Sequence, residues 1–194
     1  VNTVLTHTTV LLDEAVDAVL GAHATGAPRT FVDATFQAAK KGATQSASPD
    51  VEGLEVLVLV SGEGVPLGIA VSSASTGETK LVEPALQEVI QLAARNPDAW
   101  PRRIIGDKGY DSDELRDMLS SAAIELLAPH RRNRTRSRTN DGRKMRRYRR
   151  RWKVERFFAW AGAFRRFLVR HERLLVTYRA VAHAVCLIIT LRYL

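Results

Sequence analysis

Cysteine is almost missing from this 194-residue sequence, and the single one, Cys186, excludes an internal disulfide framework and a cysteine-built zinc site. Histidine is sparse as well. Of five, His130, His171 and His183 stand far apart, and no HExxH pair occurs, so no rival zinc centre is suggested. A Walker-type phosphate loop and a G-x-S-x-G elbow are both lacking. There is no long uninterrupted apolar run. The most apolar stretch, Leu175–Leu191, is broken by Arg179 and His183 and reads as a buried helix rather than a membrane span. At the N-terminus Asp13, Glu14 and Asp17 interrupt the apolar positions and no basic leader precedes them, so a cytoplasmic protein is the expectation. No internal repeat or long low-complexity linker is visible. With 45% hydrophobic and 26% charged residues the chain has the composition of a folded domain, and its length suffices for one real core.

Acid is what residues 131–170 lack. They hold 17 Lys+Arg against two acids, a net of +15 within a whole-chain charge of +8, which leaves −7 for the rest. An acidic body with one concentrated basic segment points to a polyanionic partner. Twelve cations with one acid crowd residues 131–151. Arg dominates over Lys there, which favours forked phosphate contacts that position a strand without reading its sequence. A solvated charged loop is the plainer alternative.

Periodicity orders the elements. Leu11–Leu20 has helical spacing, and Thr30–Phe36 is a short β-branched run. Leu54–Val60 and Val65–Ser72 are strong strand runs flanking Ser61-Gly62-Glu63-Gly64, a hairpin signal. Glu83–Ala94 reads as an amphipathic helix stopped by Asn96-Pro97. Ile104-Ile105 ends a strand, Asp111–Ser121 is a helix capped by Asp111 or Ser112, and Ala123–Leu127 is a strand. Residues 130–142 read as an exposed arginine-rich loop. Two helical stretches follow, from Arg143 to about Val169 and from Leu174 to Tyr193. This order predicts an α/β fold with a mixed five-stranded sheet flanked by helices, compatible with a ribonuclease H-like fold.

Three carboxylates stand out. Asp33 follows Phe31-Val32 inside the first strand, and Asp107 follows Ile104-Ile105-Gly106 at the end of a later one. A carboxylate on an apolar strand is costly to bury unless paired or bound to a cation, although Asp is also an ordinary turn former. Glu155 is the only acid between Gly142 and His171. A salt bridge to Arg150 or Arg151 is its plainer reading. At 100° per residue Tyr148, Arg151, Glu155 and Gly162 share one helical face, while Phe157, Trp160, Phe164 and Leu168 form a separate stripe assigned to the core. Three carboxylates make a hard oxygen donor set suited to Mg²⁺ or Mn²⁺.

The segments Asp107-Lys108-Gly109-Tyr110-Asp111-Ser112, Ala128–Arg134, Asp141-Gly142-Arg143 and Arg147–Arg156 resemble the DDE transposases of bacterial insertion sequences, closest to the insertion-sequence five family. The resemblance covers residues 30–194. It implies a ribonuclease H-like catalytic domain over that span, with residues 1–29 as a remnant N-terminal helical segment. It also implies Asp33, Asp107 and Glu155 as catalytic residues and metal ligands, with two Mg²⁺ or Mn²⁺ ions. The implied reaction is hydrolysis at the element's ends followed by strand transfer to target DNA, carried out by a homo-oligomer on DNA. Tyr148, Arg151 and Glu155 match the family's last-helix signature, whereas Gly162 stands at its Lys position. Arg131, Arg132, Arg134, Arg143, Lys144, Arg147, Tyr148 and Arg151 are the implied DNA-binding residues. A catalytically inactive DNA-binding remnant and a host nuclease of the same fold are the competing readings. With Val1 first and 32 residues ahead of Asp33, the chain is expected to lack the family's N-terminal DNA-recognition region.

Overall fold

The computed structural model describes residues 2–22, 29–39, 53–132, 134, 136 and 145–194. Helix α1 (Asn2–Ala22) is followed by strands β1 (Arg29–Ala39), β2 (Gly53–Ser61) and β3 (Pro66–Ser73). Then come α2 (Val82–Arg95), β4 (Arg103–Ile105), α3 (Asp113–Ser121) and β5 (Glu125–Leu127). The chain closes with α4 (Trp152–Ala161), a helical turn α5 (Arg165–Leu168), β6 (Val169–Arg170) and α6 (Leu175–Thr190). Short 3₁₀ turns sit at Glu78–Leu81, Lys108–Tyr110 and Arg146–Arg150.

The sheet runs β3-β2-β1-β4-β5, antiparallel across β1, β2 and β3 and parallel across β1, β4 and β5. This is the ribonuclease H-like arrangement expected from the sequence, with one addition. The two-residue β6 pairs in parallel with Ala38 and Ala39, making six strands. So short a strand leaves no periodic signal to read.

Strand β2 is buried along nearly its whole length, which explains the unbroken alternation of Val and Leu from Val56 to Val60. A central strand covered on both faces has no solvent side to mark with polar residues. Helix α2 packs on β3 and β2, and Gly68 is where helix and sheet come close. A Cβ there would collide with the Ala85 carbonyl and touch Val89. Gly68→Ala is therefore expected to lower stability by about 1–3 kcal/mol through overpacking, measurable by urea unfolding.

Helix α1 lays Leu12, Val16 and Val19 into the same core as the sheet, packed along α6. Helix α6 with its terminal turn, Leu175–Tyr193, is the one described helix long and apolar enough to cross a membrane; 44% of that window is buried inside this fold. Its His183, almost fully buried, gives or takes a hydrogen bond through Nε2 with Glu88 Oε1 at 3.0 Å and through Nδ1 with the Arg179 carbonyl at 2.8 Å. Glu88 Oε2 also accepts the Ile69 amide at 3.0 Å, so one carboxylate ties α2, β3 and α6 together.

Burial alone would push the His183 pKa down, but the hydrogen bond and charge of Glu88 outweigh it and raise the pKa above its ordinary 6.5. A raised folded pKa means the contribution is fully present below 6.5 and is lost as pH rises through the folded value. Glu88→Gln should thus lose about 1.5–3 kcal/mol relative to the parent at pH 6. The gap should narrow at higher pH in thermal melts.

Candidate active site

The site forms because β1 outruns its neighbours. Strand β4 pairs with β1 only at Arg29–Phe31, and β6 joins only at Ala38 and Ala39. Between them this edge of β1 is left without a strand partner, and Asp33 lies in that gap. Its side chain is 22% exposed, which spares the penalty of a carboxylate inside a sheet.

Asp107 stands two residues beyond the end of β4 and caps the Lys108–Tyr110 turn, its Oδ1 accepting the Gly109 amide at 2.7 Å. The turn-former role and the strand-end placement are therefore both realised by this residue. Glu155 lies in the first turn of α4, 53% exposed.

Arg151 links two of the three acids. Its Nη1 donates to Asp33 Oδ2 at 2.8 Å and its Nη2 to Glu155 Oε1 at 2.6 Å, so a partner 118 positions away in the chain is joined to a neighbour one helical turn away. The guanidinium also stacks over the Tyr148 ring at 5.8 Å. Burial raises the Asp33 pKa above its ordinary value. The Arg151 charge and the Ala34 amide lower it, and the charges of Asp107 and Glu155 raise it again, with a net upward shift. For Arg151, burial is outweighed by Asp33 and Glu155, and its pKa rises. The structure thus brings Asp33, Asp107 and Glu155 into one electrostatic neighbourhood with Arg151 as the resident cation.

As they stand, no three His, Cys, Asp or Glu side chains among the described residues form a group disposed to hold a metal ion. Yet the donor set fits a hard divalent cation. Three carboxylates repel one another, and positive charge already occupies the space between two of them.

The arginines divide into two kinds. Arg134, 7% exposed, is turned inward onto Asp111 Oδ1 at 2.9 Å and Asp113 Oδ1 at 2.5 Å. Arg131 donates Nε to the Lys108 carbonyl at 3.2 Å and Nη2 to the Gly109 carbonyl, clasping the turn that carries Asp107. Arg132 is exposed, beside an open depression of about 410 Å³ lined also by Lys108, Gly109 and Arg131. Arg147 and Tyr148 are half-buried, and Arg146, Arg149 and Arg150 are exposed. Arg143 and Lys144 lie outside the described residues.

The expected single helix from Arg143 to Val169 is instead a 3₁₀ turn, α4 and α5. The break after Ala161 takes Leu168 off the predicted core stripe, leaving it 45% exposed, while Phe157 stays buried. Ser112, not Asp111, caps α3, accepting the Leu115 amide at 3.3 Å.

Sequence alone marks Asp111 only as a capping candidate and a member of the Asp107–Ser112 motif. Its side chain is in fact fully buried and receives Arg116 Nη2 at 2.8 Å, Arg134 Nη1 at 2.9 Å and the Arg131 amide at 2.7 Å, with His130 Nδ1 at 3.2 Å. No local signal in the sequence marks this network, since Arg131 and Arg134 stand 20 and 23 positions from Asp111.

A putative transposase for insertion sequence element IS402 from Burkholderia cepacia is 30% identical over 118 residues, covering 60% of this chain and 52% of its own. The chain therefore spans about half the length of that curated relative. Among solved structures, the Mos1 transposase paired-end complex with the left transposon end aligns at 9% identity and a TM-score of 0.37, covering 95% of this chain and 62% of that one. The Mos1 mariner paired-end complex with Mn aligns at 10% identity and a TM-score of 0.35, covering 93% and 60%. The profile of the transposase DDE domain matches residues 24–191. A match over most of the chain, on the residues that carry the acids and the arginines described above, means that this protein belongs to the transposase DDE domain family.

Proposed function

We propose that residues 30–194 form the catalytic domain of an insertion-sequence transposase of the insertion-sequence five group, with residues 1–29 as its N-terminal helical segment. In this reading it hydrolyses phosphodiester bonds at the element's ends and transfers the freed strands to target DNA, as a homo-oligomer in the cytoplasm. The observation that carries the reading is Arg151 held between Asp33 of a strand interior and Glu155 of a helix, with Asp107, from a turn just past a strand, acting electrostatically on Asp33.

Asp33, Asp107 and Glu155 would hold Mg²⁺ or Mn²⁺, as a pair of ions. Such ions supply activation of the attacking water or 3′-hydroxyl and neutralise charge on the phosphate under attack. The chain's own residues supply position. Asp33 is fixed by β1, and Asp107 is oriented by the Gly109 amide. Glu155 sits on the exposed side of α4, within reach of solvent and substrate. Arg151 balances Asp33 and Glu155 and is the group best placed to turn toward a phosphate. Arg132, Arg146, Arg149 and Arg150 offer exposed charge for the DNA backbone, flanked by Arg131, Arg147 and Tyr148, with Arg143 and Lys144 assigned to the same track. Arg134 supports it by anchoring the loop to Asp111.

The test is Mg²⁺- or Mn²⁺-dependent nicking of a duplex carrying the terminal repeats that flank the gene. A second reading, an inactive DNA-binding remnant, draws on the placement of Arg151 across two of the acids. Salt-sensitive DNA binding with no Mn²⁺ uptake by calorimetry would favour the remnant.

A further inference from the structure

Asp107 faces a second group of acids that the triad does not use. A Cβ placed on Gly109 would stand 2.9 Å from Asp107 Oδ1 and 3.6 Å from Glu78 Oε2, so the bare α-carbon of Gly109 forms a wall shared by both carboxylates. Glu78 opens the 3₁₀ turn that follows β3, and it is exposed to solvent. Its electrostatic surroundings match the crowding. Partial burial raises the Glu78 pKa, and the charges of Glu55, Asp107 and Asp33 raise it further. Among the described residues neither Glu78 nor Asp107 makes an ion pair, in contrast to Asp33 and Glu155, which share Arg151.

A separate observation points into the same space. Tyr110 is completely buried, and its phenolic oxygen has no hydrogen-bond partner among the described residues. The charges acting on that phenol are Glu78, Asp33, Asp107 and Glu55, all acids. Glu55 Oε2 is likewise buried and without a partner among the described residues. Along β2 and β1, Glu55 pairs opposite Phe36, three positions beyond Asp33 and so on the other face of the sheet. Buried polar atoms left unsatisfied are rare in folded proteins and call for an explanation. Here one bound cation with its water shell would answer Glu78, Asp107 and the orphaned hydroxyl of Tyr110 together.

Resting on the function proposed above, we infer that Glu78 is a fourth carboxylate of the divalent-cation site, facing Asp107 across Gly109. The ion it serves is a hard one, Mg²⁺ or Mn²⁺, because every donor is oxygen. Glu78 and Asp107 carry the charge.

The experiment is Mn²⁺ titration of the whole chain by calorimetry, with thermal melts with and without Mn²⁺, on the parent and on Glu78→Gln, Glu78→Ala, Glu78→Asp, Asp33→Asn and Asp107→Asn. Glu78→Gln and Glu78→Ala should weaken Mn²⁺ binding about tenfold or more, and Glu78→Asp should recover part of it. The metal-free melting temperature of Glu78→Gln should stay level or rise, since a crowded charge has been removed, whereas its Mn²⁺-induced rise should shrink. Unchanged Mn²⁺ affinity in Glu78→Gln and Glu78→Ala, with affinity lost in Asp33→Asn and Asp107→Asn, overturns the inference and leaves the proposed function standing. Unchanged affinity in all the variants overturns both.

Discussion

Asp33→Ala, Asp107→Ala and Glu155→Gln should each abolish metal-dependent nicking, a loss of at least ~10³-fold, while leaving the fold in place. The tolerance of the fold follows from where these groups sit. Asp33 occupies the unpartnered edge of β1 and Glu155 is more than half exposed, so neither fills a cavity in the core. Removing Asp33 leaves Arg151 paired with Glu155, and removing Glu155 leaves it paired with Asp33, so no guanidinium is stranded in either variant. Asp107→Ala frees the Gly109 amide, a modest loss in a half-exposed turn. Relaxation of a supercoiled plasmid bearing the terminal repeats measures the nicking, and far-UV circular dichroism checks the fold. Undiminished nicking in all three variants would remove the triad from the mechanism.

Asp111→Ala should destabilise the protein by about 3–5 kcal/mol. The carboxylate has no exposed surface and satisfies two guanidiniums, an imidazole and the Arg131 amide. Its loss strands Arg116 in a buried place with no other acid paired to it among the described residues, while Arg134 keeps Asp113. Burial pushes the Asp111 pKa up, but the hydrogen bonds from Arg116, the Arg131 amide and His130 overcome it and hold the pKa at about 2, below the ordinary 3.8. A depressed folded pKa means that this stability is present above 3.8 and lost as pH falls through about 2. Parallel urea melts should therefore show a constant gap between parent and variant from pH 5 to 7. The gap should shrink below pH 4. A gap under about 1 kcal/mol at pH 6 would show that the network has little to do with holding the arginine-rich loop.

The acids were legible because each broke a local rule. Asp33 interrupts an apolar strand, Asp107 closes one, and Glu155 is the lone acid in a long basic stretch. Those are anomalies of composition, and a single sequence displays them. The strands β2 and β3 were legible for a related reason, since their apolar runs are long and the hairpin glycines mark the turn. What stayed hidden depends on contacts between distant segments. Arg131 and Arg134 read as two more solvent-facing cations, yet they fold back onto the Lys108–Tyr110 turn and Asp111, partners some twenty residues away. The division of the basic stretch into a 3₁₀ turn and two helical pieces likewise reflects packing that no propensity scale registers. Nothing around Glu78 in the sequence sets it apart. Only the fold places it beside Asp107.

The packing of α1 along α6 also has a bearing on how the chain reaches this state. Helices α1 and α6 share one apolar seam, so Leu12, Val16 and Val19 lack most of their cover until α6 is available. Contacts of such high sequence separation close slowly, because loop entropy must be overcome before they reward the chain. During synthesis at about 5–20 residues per second, α1 therefore waits roughly ten seconds or longer for α6. The Asp33–Arg151 contact spans 118 positions and obeys the same schedule. A ribosome-bound chain has neither a sealed core nor an assembled site until Arg151 and α6 have been made.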